Sequence, residues 1–310
     1  MDHETHCDLL EAELATTEAA FRAVDPAAPV PACPDWTVAD LAKHLGGVHR
    51  WATHLVATLA TERDRAPQDP TRPGPDATAD EWADWLADGG RRLVATLRAA
   101  DGAAPVWTWG DGTDVAWWTR RQLHETLVHR IDAQQAAGAE WSVDPEVAVD
   151  AIDEHLGNIA ASAYFSSGVA NLKGDGSLHL HATDTEGEWM IELRDDGFDI
   201  SHAHGKGTVA ARGAAGDLLA AVTNRGTTER LQVFGDADRL TRLATTLAPA
   251  SRTSTTARPT GPVANHRSMI ENCMKDFLGR GSQRSTKRTG ACRITRSGRP
   301  LASRPGVKRH

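Results

Sequence analysis

The sequence predicts a two-domain α+β protein, in which a four-helix bundle precedes a small α+β domain. Apolar residues recur at helical spacing over roughly the first 140 residues. Short segments that alternate apolar and polar residues follow, and a basic stretch without apolar periodicity ends the chain. We therefore expect a bundle over 1–142, an α+β domain over 143–250 and a disordered basic tail over 251–310.

Four helices are predicted in the first domain, at about residues 4 to 24, 38 to 61, 79 to 100 and 114 to 137. The prolines of PAAPVPACPDW end the first helix. Thr37 is the expected N-cap of the second, because Asp40 follows three residues later. Gly138 ends the fourth. Bundles of this kind build ligand and metal sites from side chains on facing helices.

The second domain is predicted to start with a linking helix, DPEVAVDAIDEHLGNIA. The segments SLHLHATD, EWMIELRD and GFDISHAHG then alternate as half-buried strands do, and GTVAARG and LQVFG are two further short strands. Helical segments, AAGDLLAAVT and DADRLTRLATTLA, follow these last two. We expect an antiparallel sheet with helices packed against it.

Charge is divided unevenly along the chain. Residues 251–310 carry 14 Lys+Arg and 2 Asp+Glu, a net +12, whereas the preceding residues carry 20 and 40, a net −20. An acidic body disfavours nucleic acid as the main partner, because phosphate binding depends on positive charge. Nucleic acid is expected at most through the tail, and the alternative is an extension without a partner.

Targeting signals and cysteine motifs are not evident. The N-terminus is acidic, without a basic region followed by an apolar run, and no window approaches 18 apolar residues. We expect a cytoplasmic protein with no membrane partner. The four cysteines, Cys7, Cys33, Cys273 and Cys292, contain no CxxC, which indicates neither a disulfide framework nor a cysteine zinc site.

The stretch QLHETLVHR, residues 122 to 130, resembles a zinc-protease helix but has different spacing. His124 and His129 are five residues apart, so they point about 140° away from each other on an unbroken helix. Glu125 and His129 are four apart and share a face. A carboxylate and an imidazole on one face are two of the three protein ligands of a catalytic zinc site.

Helical spacing leaves the third ligand open. On the second helix, His44 lies about 60° from the centre of the apolar stripe, His49 about 80° and His54 about 140°, so His44 is favoured by a small margin. Glu125 and His129 lie off the main apolar face of the fourth helix. A solvated polar face is the alternative explanation of that pair, although Trp118 on the same arc indicates a covered surface.

Other candidates are weaker. His179, His181, His202 and His204 alternate on predicted strands and could bind a metal in pairs, but surface histidines on an edge strand are the more common explanation. Cys33 has no histidine nearby in sequence and no GxSxG motif is present, so nucleophilic catalysis has no support.

The segment VPACPDWTVADLAKHLGGVHRWA, followed by RRQLHETLVHRIDAQQAAG, resembles the N-terminal metal-binding domain of the mycothiol-dependent maleylpyruvate isomerase family, a group of DinB-like four-helix bundles. GTVAARGAAGDLLAAVTNRG and LQVFGD are similar to that family's C-terminal domain. The resemblance covers about residues 5 to 248.

This resemblance implies a metal triad of His44, Glu125 and His129, and a catalytic role for Arg225. It implies a divalent metal, Zn²⁺, and mycothiol as cofactors, with a low-molecular-weight thiol and a small-molecule substrate as partners. The expected activity is thiol-assisted cis/trans isomerisation of a small unsaturated acid such as maleylpyruvate. The alternatives are a mycothiol S-transferase acting on electrophiles, a metal- or thiol-binding regulatory module without turnover, and a nucleic-acid-binding protein acting through its tail.

Overall fold

The structure is a computed structural model that describes residues 1–161, 176–195, 197–226 and 228–247, with side chains described as far as residue 242. The predicted tail, with Cys273 and Cys292, lies outside these residues. The predicted domain boundaries stay predictions.

Four bundle helices and one further helix make up the first half of the chain: α1 His3–Arg22, α2 Val38–Thr58, α3 Ala79–Ala99, α4 Val115–Ala136 and α5 Pro145–Ala161. Each bundle helix begins at a polar side chain that accepts a hydrogen bond from the first turn. Thr37 and Asp40 form the predicted capping box of α2. Gly138, with a φ of 64°, follows the end of α4 as predicted.

The bundle places α2 and α4 side by side. Among the bundle helices, α1 packs against α3 and α4, and α2 also packs against α3 and α4. Gly46 permits the close contact of α2 with α3, because a Cβ added there would lie 2.1 Å from the Trp85 ring. Because α2 also packs against α4, side chains on the face of α2 that is turned toward α4 can contact side chains of α4.

Five short strands form one sheet in the second half of the chain: β1 Ser177–Ala182, β2 Glu188–Leu193, β3 Phe198–Ser201, β4 Val209–Gly213 and β5 Gln232–Phe234. Their order is β3-β2-β1-β4-β5. The β1–β4 pair is parallel and the other three pairs are antiparallel. The α+β class is confirmed, but the sheet is mixed and the expectation of an antiparallel sheet is wrong at this pair. Alternation within a strand carries no information about the direction of its neighbour.

One face of the sheet is apolar and covered by helices. Two helices, α6 Ala215–Val222 and α7 Ala237–Leu247, pack against it together with α5. Leu178, Leu180 and Trp189 are buried on this face and belong to a hydrophobic core that continues into the bundle. The core thus joins the bundle to the sheet through α5.

Within the described residues, no helix combines the length and the apolar composition that a bilayer crossing requires.

Candidate metal centre

Three side chains predicted as metal ligands meet between α2 and α4. His44 Nε2 lies 3.0 Å from Glu125 Oε1, and His129 Nε2 lies 3.2 Å from the same oxygen. One ligand atom from each of the three residues falls within 4.8 Å of the other two. The fold therefore brings together residues that are 81 positions apart in the chain.

Bundle packing separates His44 from His49, which helical spacing had left nearly equal. His49 is fully buried, and its Nε2 lies 3.0 Å from Thr126 Oγ1 instead of joining the group. His44 packs edge-to-face against Trp36, with ring centroids 5.4 Å apart, and against His129 at 4.9 Å. The Trp of the PDWTV segment thus supports the imidazole that faces α4.

The polar arc of α4 is covered by protein. Trp118, Gln122 and Asp132 on this arc are buried, and the Glu125 side chain is 19% exposed. Because α4 contacts α1, α2 and α5, little of its circumference faces solvent. The alternative of a solvated polar face is therefore wrong, while Glu125 keeps some access to solvent.

Neighbouring groups keep Glu125 ionised despite its burial. Burial by itself raises the pKa of a carboxyl group, but the Arg121 guanidinium and the hydrogen bonds from His129 and His44 hold the pKa of Glu125 well below its ordinary value. Burial lowers the pKa of His44. Burial lowers the pKa of His129 as well, but its hydrogen bonds with Asp132 and Glu125 outweigh burial and raise it. A metal requires neutral imidazoles, so its binding displaces the proton that these carboxylates favour on His129.

Asp132 lies behind His129 and connects it to the second half of the chain. The Asp132 carboxylate accepts a hydrogen bond of 2.8 Å from His129 Nδ1. It also accepts two bonds from Arg225, 3.2 Å from Nε to Oδ1 and 3.1 Å from Nη2 to Oδ2. This two-pronged contact orients Asp132, which in turn orients the imidazole of His129.

Arg225 is predicted to be catalytic. In the structure it contacts Asp132, and Asp132 contacts the candidate ligand His129. Its guanidinium contacts Asp132 and the Thr223 carbonyl, and its own carbonyl accepts a hydrogen bond of 2.6 Å from Gln135. These contacts give Arg225 a positioning role. The predicted catalytic role stays a prediction.

Arg121 links the carboxylate of Glu125 to α5. Arg121 Nη2 lies 2.6 Å from Glu125 Oε2, and Nη1 lies 2.5 Å from Glu154 Oε2. Burial raises the pKa of Glu154, but Arg121 and His124 outweigh it and lower the pKa to about 2. The cation of Arg121 is therefore shared by two ionised carboxylates, one of them at the candidate metal centre.

The residues present fit a divalent ion of the zinc type. One ligand atom from each of His44, Glu125 and His129 lies within 4.8 Å of the other two, so a single ion could contact all three. The His129 Nδ1 contact with Asp132 leaves Nε2 facing the other two side chains. Two imidazoles, one carboxylate and an orienting carboxylate behind a ligating histidine are the usual parts of such a site.

Two family models match the chain. The model of the mycothiol maleylpyruvate isomerase (MDMPI) N-terminal domain matches residues 7–134, and the model of the MDMPI C-terminal domain matches residues 146–242. The chain belongs to the mycothiol-dependent maleylpyruvate isomerase family. In this family member, the first match contains all three candidate ligands and Asp132, and the second contains Arg225.

Solved structures of the mycothiol-dependent maleylpyruvate isomerase share the fold. One resembles this family member with a TM-score of 0.54 at 15% sequence identity, over 75% of this chain and 93% of that chain. A histidine-to-alanine mutant of that isomerase gives a TM-score of 0.51 with the same identity and coverage. No curated protein matches the chain in sequence. At this identity the solved structures establish a common fold, so function must be argued from the site.

Sequence reasoning about this family member missed the roles of Asp132 and Glu154. Asp132 is three residues after His129, a helical spacing that could have identified it as the partner of that imidazole. Glu154 gave no such signal, because it lies on α5 and reaches Arg121 only through tertiary packing.

His124, which spacing had separated from Glu125 and His129, belongs to a different group. Its Nε2 lies 3.0 Å from Asp150 Oδ2, and its Nδ1 lies 3.6 Å from Glu154 Oε2. The imidazole therefore faces α5 and does not join the candidate ligands, as the helical angle predicted.

Neither described cysteine of this family member resembles a nucleophile. Cys33 is buried, and burial together with the carboxylate of Asp132 raises its pKa to about 12. Burial raises the pKa of Cys7 to about 11. Raised pKa values favour the protonated form of both thiols at neutral pH.

A cleft of about 440 Å³ elsewhere on the bundle contains none of the candidate ligands. It is lined by residues of α1, α4 and the segment 140–147, with Arg130 and Trp141 among them. Arg130 is already engaged by Glu13, Gln134 and the Ser142 carbonyl. The cleft lacks a convergent group of reactive side chains, so the candidate metal centre is the better site for chemistry.

Proposed function

We propose that this family member binds Zn²⁺ through His44, Glu125 and His129 and is a mycothiol-dependent isomerase of a small unsaturated acid such as maleylpyruvate. The observation that carries the proposal is the convergence of two imidazoles and one ionised carboxylate on one point, with Asp132 behind His129. Three protein ligands are the number that a catalytic zinc site uses, and the fourth position is left for a thiol or a substrate.

When bound, Zn²⁺ supplies a Lewis acid that holds a coordinated thiol as thiolate at neutral pH. The side chains of this chain prepare that role. Arg121 and the two imidazoles keep Glu125 ionised, and Asp132 fixes the ring orientation of His129. In this proposal Arg225 is a positioning residue for Asp132.

The proposed reaction has no net redox change. The thiolate sulfur forms a bond to one carbon of the activated C=C bond, which becomes a single bond and rotates. The S–C bond then breaks, the trans alkene forms and the thiolate is released. The carbonyl group conjugated with the C=C bond takes up the displaced electron pair as an enolate and returns it when the S–C bond breaks, and the side chains around the site hold the reactants in position.

The proposed partners are mycothiol and a small-molecule substrate. Membership in the family and the partial exposure of Glu125 support access of small molecules to the site. The cytoplasmic location and a contact of the tail with nucleic acid stay predictions from sequence.

The first experiment measures bound Zn²⁺ and turnover in the same samples. Metal-stripped full-length protein is reloaded with Zn²⁺, desalted and analysed by mass spectrometry for metal content, then incubated with mycothiol and maleylpyruvate. We expect His129→Ala and Glu125→Gln to bind one Zn²⁺ fewer per chain than the wild type and to lose isomerisation, because each removes a ligand. His54→Gln is the matched control, since His54 is a histidine of α2 that pairs with Asp64 outside the group.

Wild-type metal content in His129→Ala would show that the ligand set is wrong. If the metal is lost as expected, the products decide the activity. Formation of the trans isomer supports the proposal, accumulation of a mycothiol adduct indicates an S-transferase, and binding without product over a panel of electrophiles indicates a regulatory module.

A further inference from the structure

A second group of imidazoles and a carboxylate lies on the central strands of the sheet. His179 and His181 are two residues apart on β1 and therefore point to the same face. Glu188 on β2 is paired directly with His181. This face is opposite the apolar one, because the alternate residues Leu178 and Leu180 pack into the helix-covered core. The arrangement places three side chains with metal-binding atoms on one side of one strand pair.

Three imidazole nitrogens converge on a single carboxylate oxygen of this group. Glu188 Oε1 lies 2.7 Å from His179 Nε2, 3.2 Å from His181 Nδ1 and 2.6 Å from His204 Nδ1. A carboxylate oxygen offers two lone pairs, so three hydrogen bonds to it exceed its ordinary capacity. A cation bound between the three nitrogens and this oxygen would also hold the four atoms close together, and it would not require the oxygen to accept three hydrogen bonds.

His204 reaches the group because the chain after β3 crosses this face of the sheet. A Cβ on Gly207 would lie 2.8 Å from the His179 backbone nitrogen, and one on Gly205 would lie 2.4 Å from Met190 Cε. These two glycines permit the segment 202–207 to pass closely over β1 and β2. The segment covers His179, which is buried, and carries the ring of His204 to 5.6 Å from that of His179.

The setting differs from that of incidental surface histidines. In the strand order, β1 is the middle strand, so the expectation of histidines on an edge strand is wrong for His179 and His181. Side-chain exposure rises from 10% at His179 to 37% at His181 and 83% at His204. The group is thus anchored in the sheet and open to solvent on the His204 side, which gives an ion a path of entry.

We propose that His179, His181 and Glu188 form a second site for a divalent transition-metal ion of the zinc type, with His204 as a fourth, exchangeable ligand. One ligand atom from each of the first three lies within 4.8 Å of the others. Nitrogen-rich ligands select ions such as Zn²⁺ and disfavour Mg²⁺ and Ca²⁺. The bound ion ties the segment 202–207 to the sheet, so it acts on stability and does not depend on the proposed isomerase function.

Zn²⁺ stoichiometry of the full-length protein tests the site. Metal-stripped wild-type protein, Glu188→Gln and His181→Gln are loaded with Zn²⁺, desalted and measured by metal mass spectrometry. We expect each variant to retain one ion fewer per chain than the wild type. The control variant His54→Gln should retain as many ions as the wild type, because His54 forms a pair with one carboxylate, Asp64, and no second imidazole takes part in that pair. Wild-type stoichiometry in both Glu188→Gln and His181→Gln would overturn the proposal.

Combination with His129→Ala separates the two sites. If Glu188→Gln loses an ion while His129→Ala does not, the sheet site stands and the bundle site fails. The reverse result retains the bundle site and rejects this one. A Glu188→Gln, His129→Ala double variant is expected to lose both ions.

A measurement on the wild type alone covers the case in which the variants do not fold. Histidine modification by diethyl pyrocarbonate, mapped by peptide mass spectrometry, is compared with and without Zn²⁺. We expect Zn²⁺ to protect His181 and His204 but not His54. Equal modification of His181 and His204 in both conditions would contradict the site.

Discussion

Asp132 illustrates how a buried carboxylate organises the candidate metal centre without being one of its predicted ligands. It is fully buried and accepts hydrogen bonds from both His129 and Arg225. Burial raises the pKa of Asp132, but the charge of Arg225 and the hydrogen bond from His129 outweigh it and leave the pKa below its ordinary value. An ionised Asp132 directs the Nδ1 proton of His129 toward itself and keeps Nε2 available to a metal.

We predict that Asp132→Asn lowers the Zn²⁺ affinity of the bundle site by about 10- to 100-fold, as loss of an orienting carboxylate does. Competition titration against a chromophoric chelator measures the effect, in a Glu188→Gln background so that the sheet group does not contribute.

Asp150→Asn is the control for this prediction. Asp150 also pairs with a buried histidine, His124, at 3.0 Å, but it contacts none of the three candidate ligands. The Asp150→Asn variant should bind Zn²⁺ at the bundle site with the same affinity as the Glu188→Gln protein. Unchanged affinity in Asp132→Asn would mean that His129 does not need this partner.

Arg121 is a buried cation in the contact between α4 and α5. The Arg121 side chain is 13% exposed and lies between Glu125 on its own helix and Glu154, which is 1% exposed, on α5. Neither carboxylate can regain full hydration in the folded protein if the guanidinium is removed. The helix pair is therefore sensitive to this residue.

We predict that Arg121→Gln lowers the free energy of unfolding of the metal-free protein by about 3 to 5 kcal/mol, the cost of leaving buried carboxylates without their partner. Urea unfolding followed by circular dichroism measures it.

Arg98→Gln is the matched control for Arg121. Arg98 also contacts several carboxylates, Asp8 and Glu11 at 2.7 and 2.8 Å among them, but those groups are exposed at the surface of the bundle. Surface ion pairs contribute little because solvent screens them. We expect the Arg98→Gln midpoint to stay close to that of the wild type. If the two variants unfold alike, burial is not what makes Arg121 important.

Asp150 connects three helices of the molecule through one carboxylate. On α5, it contacts His6 of α1 at 3.0 Å and both His124 and Arg120 of α4, at 3.0 and 3.1 Å. Burial raises the pKa of Asp150, but the close imidazole of His124, the hydrogen bond with His6 and the charge of Arg120 hold it far below the ordinary value of 3.8. The bundle and the part of the chain that carries the sheet are thus coupled by an ionised group.

For the whole molecule we predict a pH-dependent contribution of Asp150 to stability. Because the folded-state pKa lies below the unfolded one, the contribution is fully present above about pH 5 and is lost as the pH falls through 3.8 toward the folded-state pKa. The difference in unfolding free energy between wild type and Asp150→Asn should therefore be larger at pH 6 than at pH 3. Urea unfolding at both pH values measures it, and an equal difference would exclude Asp150 as the titrating group.

Local sequence determined the elements of this protein. The capping box of Thr37 and Asp40, the glycine after α4 and the strand alternation around His179 are short-range patterns, and each is found where the sequence placed it. The same is true of Glu125 and His129, since four residues are about one helical turn. The resemblance to the family supplied His44, and the α+β class with an N-terminal helical bundle is confirmed.

Only the tertiary structure decided which of these elements meet. The contact of His49 with Thr126, the contact of Arg225 with Asp132 and the parallel pairing of β1 with β4 each join residues far apart in the chain. Helical and strand periods indicate which face of an element is apolar. They do not indicate which neighbouring element covers that face or in which direction that neighbour runs. That choice depends on packing between elements, which is why the candidate ligands were predictable and the charges that hold them in place were not.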